Sequence, residues 1–177
     1  MLIFKIIGGI CIIGATTLYG RGLAGEYTCR LDTLKALKRA FNILKGELRY
    51  GIETLPAAFM HVGERCSLGD EAVRDFFWAL GGRLVEETGK RLGEVWEEES
   101  KKLAAETHLN GAECDRLIKV SECLGYLDLT QQVNNIELYL DELEEDIQIL
   151  SGKYADTCKM YTSLGVMAGL FLTIILI

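Results

Sequence analysis

The chain has 177 residues, of which 49% are hydrophobic and 25% are charged, and its formal net charge is −7. Its length suits a single domain of ordinary size, and so many apolar residues exclude a disordered chain. The acidic balance argues against a nucleic-acid partner, because phosphates repel an acidic surface.

Apolar runs begin and end the chain. Residues 2–19 contain one charge, Lys5, and residues 160–177 contain none. A helix that rises about 1.5 Å per residue needs roughly 17 to 25 apolar residues to cross a bilayer. We therefore expect a transmembrane anchor at 1–20, a helical domain at 21–159 and a second transmembrane anchor at 160–177.

A cleaved signal peptide is the alternative for the first run. Small residues that could serve for cleavage, Ala15-Thr16-Thr17, lie inside the apolar stretch rather than after it. Ile10 is also too bulky for the position before a lipoprotein cysteine at Cys11. These features favour an uncleaved anchor.

The positions of the basic residues predict the orientation in the cell membrane. Outside the central domain there is only Lys5, whereas the domain carries basic residues near both anchors: Arg21, Arg30, Lys35, Lys38, Arg39, Lys153 and Lys159. Basic residues near the ends of membrane helices stay in the cytoplasm. We expect a two-pass protein in membrane lipid, with a cytoplasmic central domain and both termini on the opposite side.

Helical periodicity dominates the first part of the domain. Apolar residues recur every three or four positions, at Leu31, Leu34, Leu37, Phe41, Leu44, Leu48, Ile52 and Leu55. This spacing predicts a long helix with one buried face. Pro56 then predicts a break or the first turn of the next helix, a short one over residues 57–64.

Glycines predict the next boundaries. Residues 63–69 are expected to form a turn, after which Asp70 can cap a helix that contains Val73, Phe76, Phe77 and Leu80. The pair Gly81-Gly82 is expected to interrupt or kink that helix.

Two capping signals introduce the last helices. Asn110 with Glu113, and Asp128 with Gln131, have the spacing of a capping box. The final helix then has an apolar seam with a period of 3.5 residues, at Val133, Ile136, Leu140, Leu143, Ile147, Leu150 and Tyr154.

Such a seam packs in an antiparallel bundle or pairs in a coiled coil. Because only Gly152 interrupts the helical pattern before the second anchor, we expect the helix to continue into it. The fold predicted is an all-α cytoplasmic bundle of about six helices, flanked by N-terminal and C-terminal transmembrane helices.

The sequence predicts no catalytic residue, metal site or cofactor. The segment from Gly82 to Arg91 approaches a phosphate-binding loop, but its spacer is too long and Arg91 replaces the required hydroxyl. His61 and His108 lack partners at metal-binding spacing. The six cysteines show no zinc or redox spacing.

Two acidic runs are candidate partner-binding surfaces. The first contains Glu94, Glu97, Glu98 and Glu99, and the second contains Glu137, Asp141, Glu142, Glu144, Glu145 and Asp146. Each is ordinarily interpreted as a solvated helix face, with Lys101 and Lys102 partly neutralising the first. Like charges so concentrated also cost stability, and a basic partner would explain them.

The second anchor contains a candidate packing site. Gly165 and Gly169 stand four residues apart, which lets another helix approach closely in lipid. A homo-oligomer or a partner helix would fit this spacing.

Several segments, in this order, resemble the stage III sporulation protein AB family of endospore-forming bacteria. They are Gly14-Ala15-Thr16-Thr17, Glu47-Leu48-Arg49-Tyr50-Gly51, Thr54-Leu55-Pro56-Ala57-Ala58-Phe59, Trp96-Glu97-Glu98, Leu124-Gly125-Tyr126-Leu127-Asp128 with Gln131, and Ser163-Leu164-Gly165. The family usually has Thr-Pro-Leu where this chain has Thr54-Leu55-Pro56, which affects only the local helix boundary.

The resemblance implies a component of the channel complex that links mother cell and forespore, placed in the mother-cell membrane around the forespore. The family's domain is similar to helical domains of the inner-membrane platform protein of type II secretion and type IV pilus machines. By that similarity, the expected partners are a cytoplasmic secretion-type ATPase, stage III sporulation protein AA, and other membrane proteins of the complex.

Three function classes compete. The leading hypothesis is a non-enzymatic assembly platform that docks the ATPase. The alternative is a membrane-anchored coiled-coil scaffold or receptor that oligomerises through its last helix. A membrane-bound hydrolase would need a metal or nucleotide site that the sequence does not contain.

Overall fold

The computed structural model describes the backbone of residues 2–50, 54–67, 69–87, 89–124 and 128–176, and the side chains of residues 25–50, 54–67, 69–87, 89–124 and 128–153. The described backbone contains six α-helices and no strand. They are α1 (Leu2–Tyr50), α2 (Leu55–Arg65), α3 (Glu71–Glu86), α4 (Leu92–Thr107), α5 (Gly111–Cys123) and α6 (Leu129–Leu176). The predicted all-α class is confirmed for this part of the chain.

The two terminal helices are longer than the sequence predicted for the bundle alone. We expected a bundle of about six helices with an anchor at each end and continuity with the anchor only at the last helix, but both terminal helices are long: α1 has 49 residues and α6 has 48. Each contains a bundle helix and an apolar run in one continuous helix, so the total is six. The expected continuation of the last helix is confirmed.

Side chains of both apolar runs lie outside the described residues, so the two anchors and their packing stay predictions. Within the part of the chain that is described, no helix combines the length and apolar character needed to cross a bilayer.

The chain divides into two compact units. One comprises Met1–Thr28 and Ile149–Ile177, and the other comprises Cys29–Gln148. Within the second unit, α2 packs against α3, α3 against α4, and α4 against α5. Helices adjacent in sequence are thus adjacent in space.

An aromatic cluster forms the centre of the unit Cys29–Gln148. The indole of Trp96 on α4 is fully buried and lies 5.4 to 6.4 Å from four phenyl rings, those of Phe41, Phe59, Phe76 and Phe77. Its Nε1 donates a hydrogen bond of 2.8 Å to the carbonyl oxygen of Leu117 on α5. Tyr139 on α6 reaches the cluster through Phe41, at a centroid distance of 4.8 Å. Every helix therefore contributes to one core.

The first connection differs slightly from the prediction. α1 ends at Tyr50, and Pro56 lies in the first turn of α2, where its missing amide hydrogen is not needed. Gly63 was expected in a turn, but it is buried inside α2. A Cβ atom at this glycine would lie 2.0 Å from Trp78 Cδ1. Only glycine therefore leaves room at this position for the indole of Trp78 on α3.

Gly81-Gly82 was expected to interrupt or kink its helix, and the interruption is wrong. α3 continues through both glycines to Glu86. Gly81 is buried against α2, where a Cβ would lie 2.9 Å from the carbonyl oxygen of Pro56. The glycine is therefore explained by close helix packing rather than by a break.

Two of the three side chains predicted to cap helices make a capping hydrogen bond, and the third does not. The capping box of Asn110 and Glu113 is confirmed by two reciprocal hydrogen bonds of 2.8 Å. Asp128 accepts a 2.8 Å bond from the amide of Gln131 at the start of α6. Asp70 precedes α3 as expected, but its side chain makes no capping bond and binds Arg39 of α1 instead.

The seam of α6 faces the core of its own chain. Val133, Ile136, Leu140 and Leu143 are buried, and Ile147 is half-buried. Tyr154 lies outside the described side chains. The period of 3.5 residues therefore reflects packing within the bundle.

Candidate partner-binding surface

The first acidic run lies at the corner between α3 and α4. Arg83, near the end of α3, binds Glu87 at 2.7 Å, Glu99 at 2.7 Å and Glu98 at 2.5 Å. Lys90, in the connection, binds Glu87 at 2.7 Å and approaches Glu98 to 3.7 Å. Two cations of the corner thus bind three carboxylates, and these ion pairs connect α3, the α3–α4 connection and α4.

These ion pairs change the acidity of the corner. Hydrogen bonds from Arg83 and then Lys90 lower the pKa of Glu87 to about 2. Arg83 also lowers the pKa of Glu98, and the hydrogen bonds that Arg83 donates to the three carboxylates raise its own pKa. Glu87 and Glu98 are therefore ionised throughout the physiological range of pH.

The four predicted site residues do not share one free surface. Glu99 is only 7% exposed and also approaches Lys102 to 3.7 Å, so it points inward. Glu98 is exposed but held by Arg83. Glu97 forms a 2.6 Å pair with Lys101 one turn later, as the sequence indicated. Glu94 is exposed and has no ion pair among the described residues.

Of the first run, Glu94 and Glu97 therefore remain available for a partner. They lie three residues apart on the exposed side of α4. The other tentative site, Gly165 with Gly169, lies outside the residues whose side chains are described.

The second acidic run is largely occupied by cations of the same chain. Lys38 and Lys45 of α1 bind Glu144 and Glu137 of α6. The two lysines are seven residues apart, and so are the two glutamates. The earlier lysine binds the later glutamate, so the helices run in opposite directions. Antiparallel helices with complementary charges two turns apart produce this pattern, a signal that the sequence contained and that our prediction missed.

A second arginine holds α6 to α5. The guanidinium of Arg116 contacts Asp146 and lies 3.9 Å from Glu142. Behind it, burial raises the pKa of the Tyr139 phenol. Only Asp141 and Glu145 of this run are exposed without an ion pair among the described residues.

Glu113 has two roles that sequence spacing revealed only in part. It completes the capping box of α5, and its carboxylate accepts three bonds from Arg30 of α1, one of 2.7 Å from Nη2 and two of 2.9 and 3.0 Å from Nε. Its side chain is only 3% exposed. The buried carboxylate of Glu113 is therefore compensated by the guanidinium of Arg30 and by the backbone amide of Asn110.

Within the described side chains, no group of three or more His, Cys, Asp or Glu residues is placed to hold a metal ion. The charged groups that come together are the ion-pair networks between helices.

These features define a class: an all-α bundle with an aromatic core, whose charged side chains bind one another across helix interfaces. The chain belongs to the family of stage III sporulation protein AB, because the model of that family matches residues 5–177.

Comparisons with known proteins agree. The chain is 30% identical over 172 residues to stage III sporulation protein AB of Bacillus subtilis (strain 168), covering 97% of this chain and 98% of the relative. A solved structure of stage III sporulation protein AB is similar in fold, with a TM-score of 0.63 and 23% identity. The similarity covers 72% of this chain and 97% of the solved one.

Proposed function

We propose that this chain is a non-enzymatic platform component of a secretion-like channel complex required for endospore formation, and that it docks a cytoplasmic secretion-type ATPase. The supporting observation is the family match, which spans nearly the whole chain. The proposal includes a two-pass location in the mother-cell membrane around the forespore and contact with other membrane proteins of the complex.

The docking contact is proposed on α4, at Glu94 and Glu97. Among the described residues, Glu97 forms an ion pair only with Lys101, and the side chains of Glu97 and Lys101 are both more than half exposed. Exposed ion pairs of this kind contribute roughly 0 to 1 kcal/mol, so a basic residue of a partner can replace Lys101 at little cost. Glu98 and Glu99 are assigned to the corner network instead, because Arg83 binds both.

Charge reversal tests this contact. The variant Glu94→Lys/Glu97→Lys should bind stage III sporulation protein AA at least about tenfold more weakly than the unchanged chain, since reversed charges repel the basic partner. Binding is measured with the full chain in lipid nanodiscs.

Asp141→Lys/Glu145→Lys is the matched control. It makes the same change of charge on α6, at two exposed carboxylates without an ion pair among the described residues. Equal losses in both variants would mean that only net charge matters. Unchanged binding in the α4 variant would remove Glu94 and Glu97 from the contact.

The coiled-coil alternative conflicts with the burial of the α6 seam. Ile136 is fully buried in its own bundle, and pairing between chains through this seam would require the bundle to open. A variant with Ile136→Cys and the native cysteines replaced by serine should form no interchain disulfide under oxidation. Efficient crosslinking would instead support the scaffold.

A further inference from the structure

An apolar surface lies on α2 and α3, whereas the two acidic runs lie on α4 and α6. We call it the Trp78 surface, and it consists of Met60, Trp78, Gly82 and Val85. Trp78 is 51% exposed and Val85 is 63% exposed, unusually high values for side chains of this kind. Among the described residues, these side chains contribute nothing to the aromatic core, so their exposure needs another explanation.

The residues of the Trp78 surface are held in place by contacts within the chain. Trp78, Gly82 and Val85 follow one another at helical spacing, so they form a stripe along α3. The indole of Trp78 lies directly over Gly63, where a Cβ would be 2.0 Å from Cδ1. Arg74 covers the ring from the same helix at 5.9 Å. These contacts fix the indole while half of it stays exposed, which is typical of an aromatic anchor in an interface.

Gly82 leaves a notch in the middle of the stripe. A Cβ built on it would meet no atom within 4 Å, in contrast to Gly81, which is packed against α2. Packing inside the chain therefore does not explain this glycine. A notch between Trp78 and Val85 lets the backbone of another helix approach closely.

The rim of the surface is acidic. Glu64 on α2 and Glu86 on α3 are exposed and have no ion pair among the described residues. Asp75 is paired with its neighbour Arg74 at 3.0 Å, and Arg65 of α2 is bound to Glu47 at 2.7 Å. The unpaired charges beside the stripe are thus both negative.

From this geometry we propose that the Trp78 surface docks an amphipathic helix of another protein, with an apolar stripe and Lys or Arg residues on its flanks. A stripe about two turns long with a central notch fits a helix rather than an extended peptide. The acidic rim selects basic flanks.

The same charges argue against two other occupants. In a symmetric contact with a second copy, Glu64 and Glu86 would face like charges. Anionic lipid would likewise be repelled by the rim. The proposal goes beyond ATPase docking on α4, because it uses different helices and does not depend on which protein supplies the helix.

Photocrosslinking in sporulating cells tests the proposal. Benzoylphenylalanine replaces Val85 in the full-length chain, and a second strain carries it at Leu138, which is 60% exposed on α6. We expect a protein adduct from position 85 only. The crosslinked segment, identified by mass spectrometry, should be an amphipathic helix with net positive flanks.

Two further variants connect the adduct to the stripe and the rim. Gly82→Leu places a side chain in the notch, where an added Cβ meets no atom within 4 Å, and Glu64→Lys/Glu86→Lys reverses the charge beside the stripe. Each should reduce the yield of the adduct by about tenfold or more, as expected for central interface positions. The circular dichroism spectrum should not change.

Several results would overturn the proposal. They are an acidic crosslinked segment, an adduct with lipid or with a second copy of the chain, an equal yield from position 138, or no adduct from position 85. A yield unaffected by both variants would also contradict it. None of these results bears on binding to the Glu94 and Glu97 contact, so the two proposals fail independently.

Discussion

Adjacent glycines in α3 have opposite surroundings. Gly81 is buried where α2 crosses, and Pro56 contributes a rigid carbonyl to that contact, whereas Gly82 faces open space. In sequence the two glycines are equivalent, and helix propensity alone predicts that each destabilises the helix. The difference arises from tertiary packing, which a single sequence does not display.

Alanine at each position should therefore have effects of opposite sign. Gly81→Ala forces backbone atoms apart and should destabilise the domain by roughly 1 to 3 kcal/mol. Gly82→Ala adds helix propensity without a clash and should stabilise it by up to about 1 kcal/mol. Urea unfolding followed by circular dichroism measures both. Equal effects would contradict the packing of α2 on Gly81.

Neighbouring glutamates of α4 also differ in burial. Glu99 is buried beside Arg83, while Glu97 is exposed. Glu99→Lys places a second cation next to Arg83 and should cost about 2 to 4 kcal/mol of unfolding free energy. Glu97→Lys should change it by no more than about 0.5 kcal/mol. Thermal unfolding of the two variants distinguishes them, and similar melting temperatures would show that Glu99 is not held as described.

At the scale of helices, the sequence predicted buried faces and one cap more accurately than it predicted where helices end. The seam of α6 and the capping box of α5 were predicted correctly, because both depend on local spacing that one helix imposes. The expected turn at Gly63 and the expected interruption at Gly81-Gly82 were wrong, because Gly63 and Gly81 lie in contacts between α2 and α3. Asp70 was predicted as a cap, but Arg39 from a distant part of the chain binds it.

For the candidate site, too, the sequence revealed local features but not the contacts between distant residues. Sequence identified the acidic residues of α4, but Glu98 and Glu99 bind an arginine 15 and 16 residues earlier. No local rule assigns that arginine to them. The pairs between α1 and α6 had a visible heptad relation, but using it requires knowing that these helices are antiparallel neighbours.

The two roles of Glu113 at the start of α5 can be separated. Glutamine at this position keeps the side-chain bond to the Asn110 amide but loses the charge that binds Arg30. Alanine loses both. We expect Glu113→Gln to cost about 1 to 3 kcal/mol and Glu113→Ala about 1 kcal/mol more. Guanidinium unfolding of the two variants measures the difference, and equal losses would mean that the cap contributes nothing.

The corner between α3 and α4 should make stability depend on pH. Glu87 has a pKa near 2 in the folded chain, below its usual 4.5, because Arg83 and Lys90 bind its charged form. The folded state therefore binds fewer protons than the unfolded state in this window, and its stability falls as pH decreases from about 4.5 towards 2.

Glu87→Gln should remove part of that dependence. Urea midpoints are compared at pH 7 and pH 3, with Glu86→Gln as the control because Glu86 has no ion pair among the described residues. The decrease between the two pH values should be smaller in Glu87→Gln than in the control. Identical decreases would show that the Arg83 network does not hold Glu87 in solution.

For the whole molecule, the charge pattern is divided between folding and recognition. Most carboxylates of the two acidic runs bind cations of the same chain. Exposed carboxylates without an ion pair among the described residues lie on three separate surfaces: Glu94 on α4, Asp141 with Glu145 on α6, and Glu64 with Glu86 beside the Trp78 surface. A platform that contacts several proteins at once would need separate surfaces of this kind.

The topology of the chain can be tested directly with its own cysteines. The basic residues that follow the first apolar run predict a cytoplasmic domain, and Cys29 is exposed at the start of the unit Cys29–Gln148. A variant that keeps only Cys29 should react in intact cells with a membrane-permeable maleimide and not with an impermeable one. Residue 177, replaced by cysteine in the same background, should react with both. If Cys29 reacted with the impermeable reagent, the domain would lie outside the cytoplasm, and docking of a cytoplasmic ATPase on α4 would be excluded whatever the charge-reversal variants show.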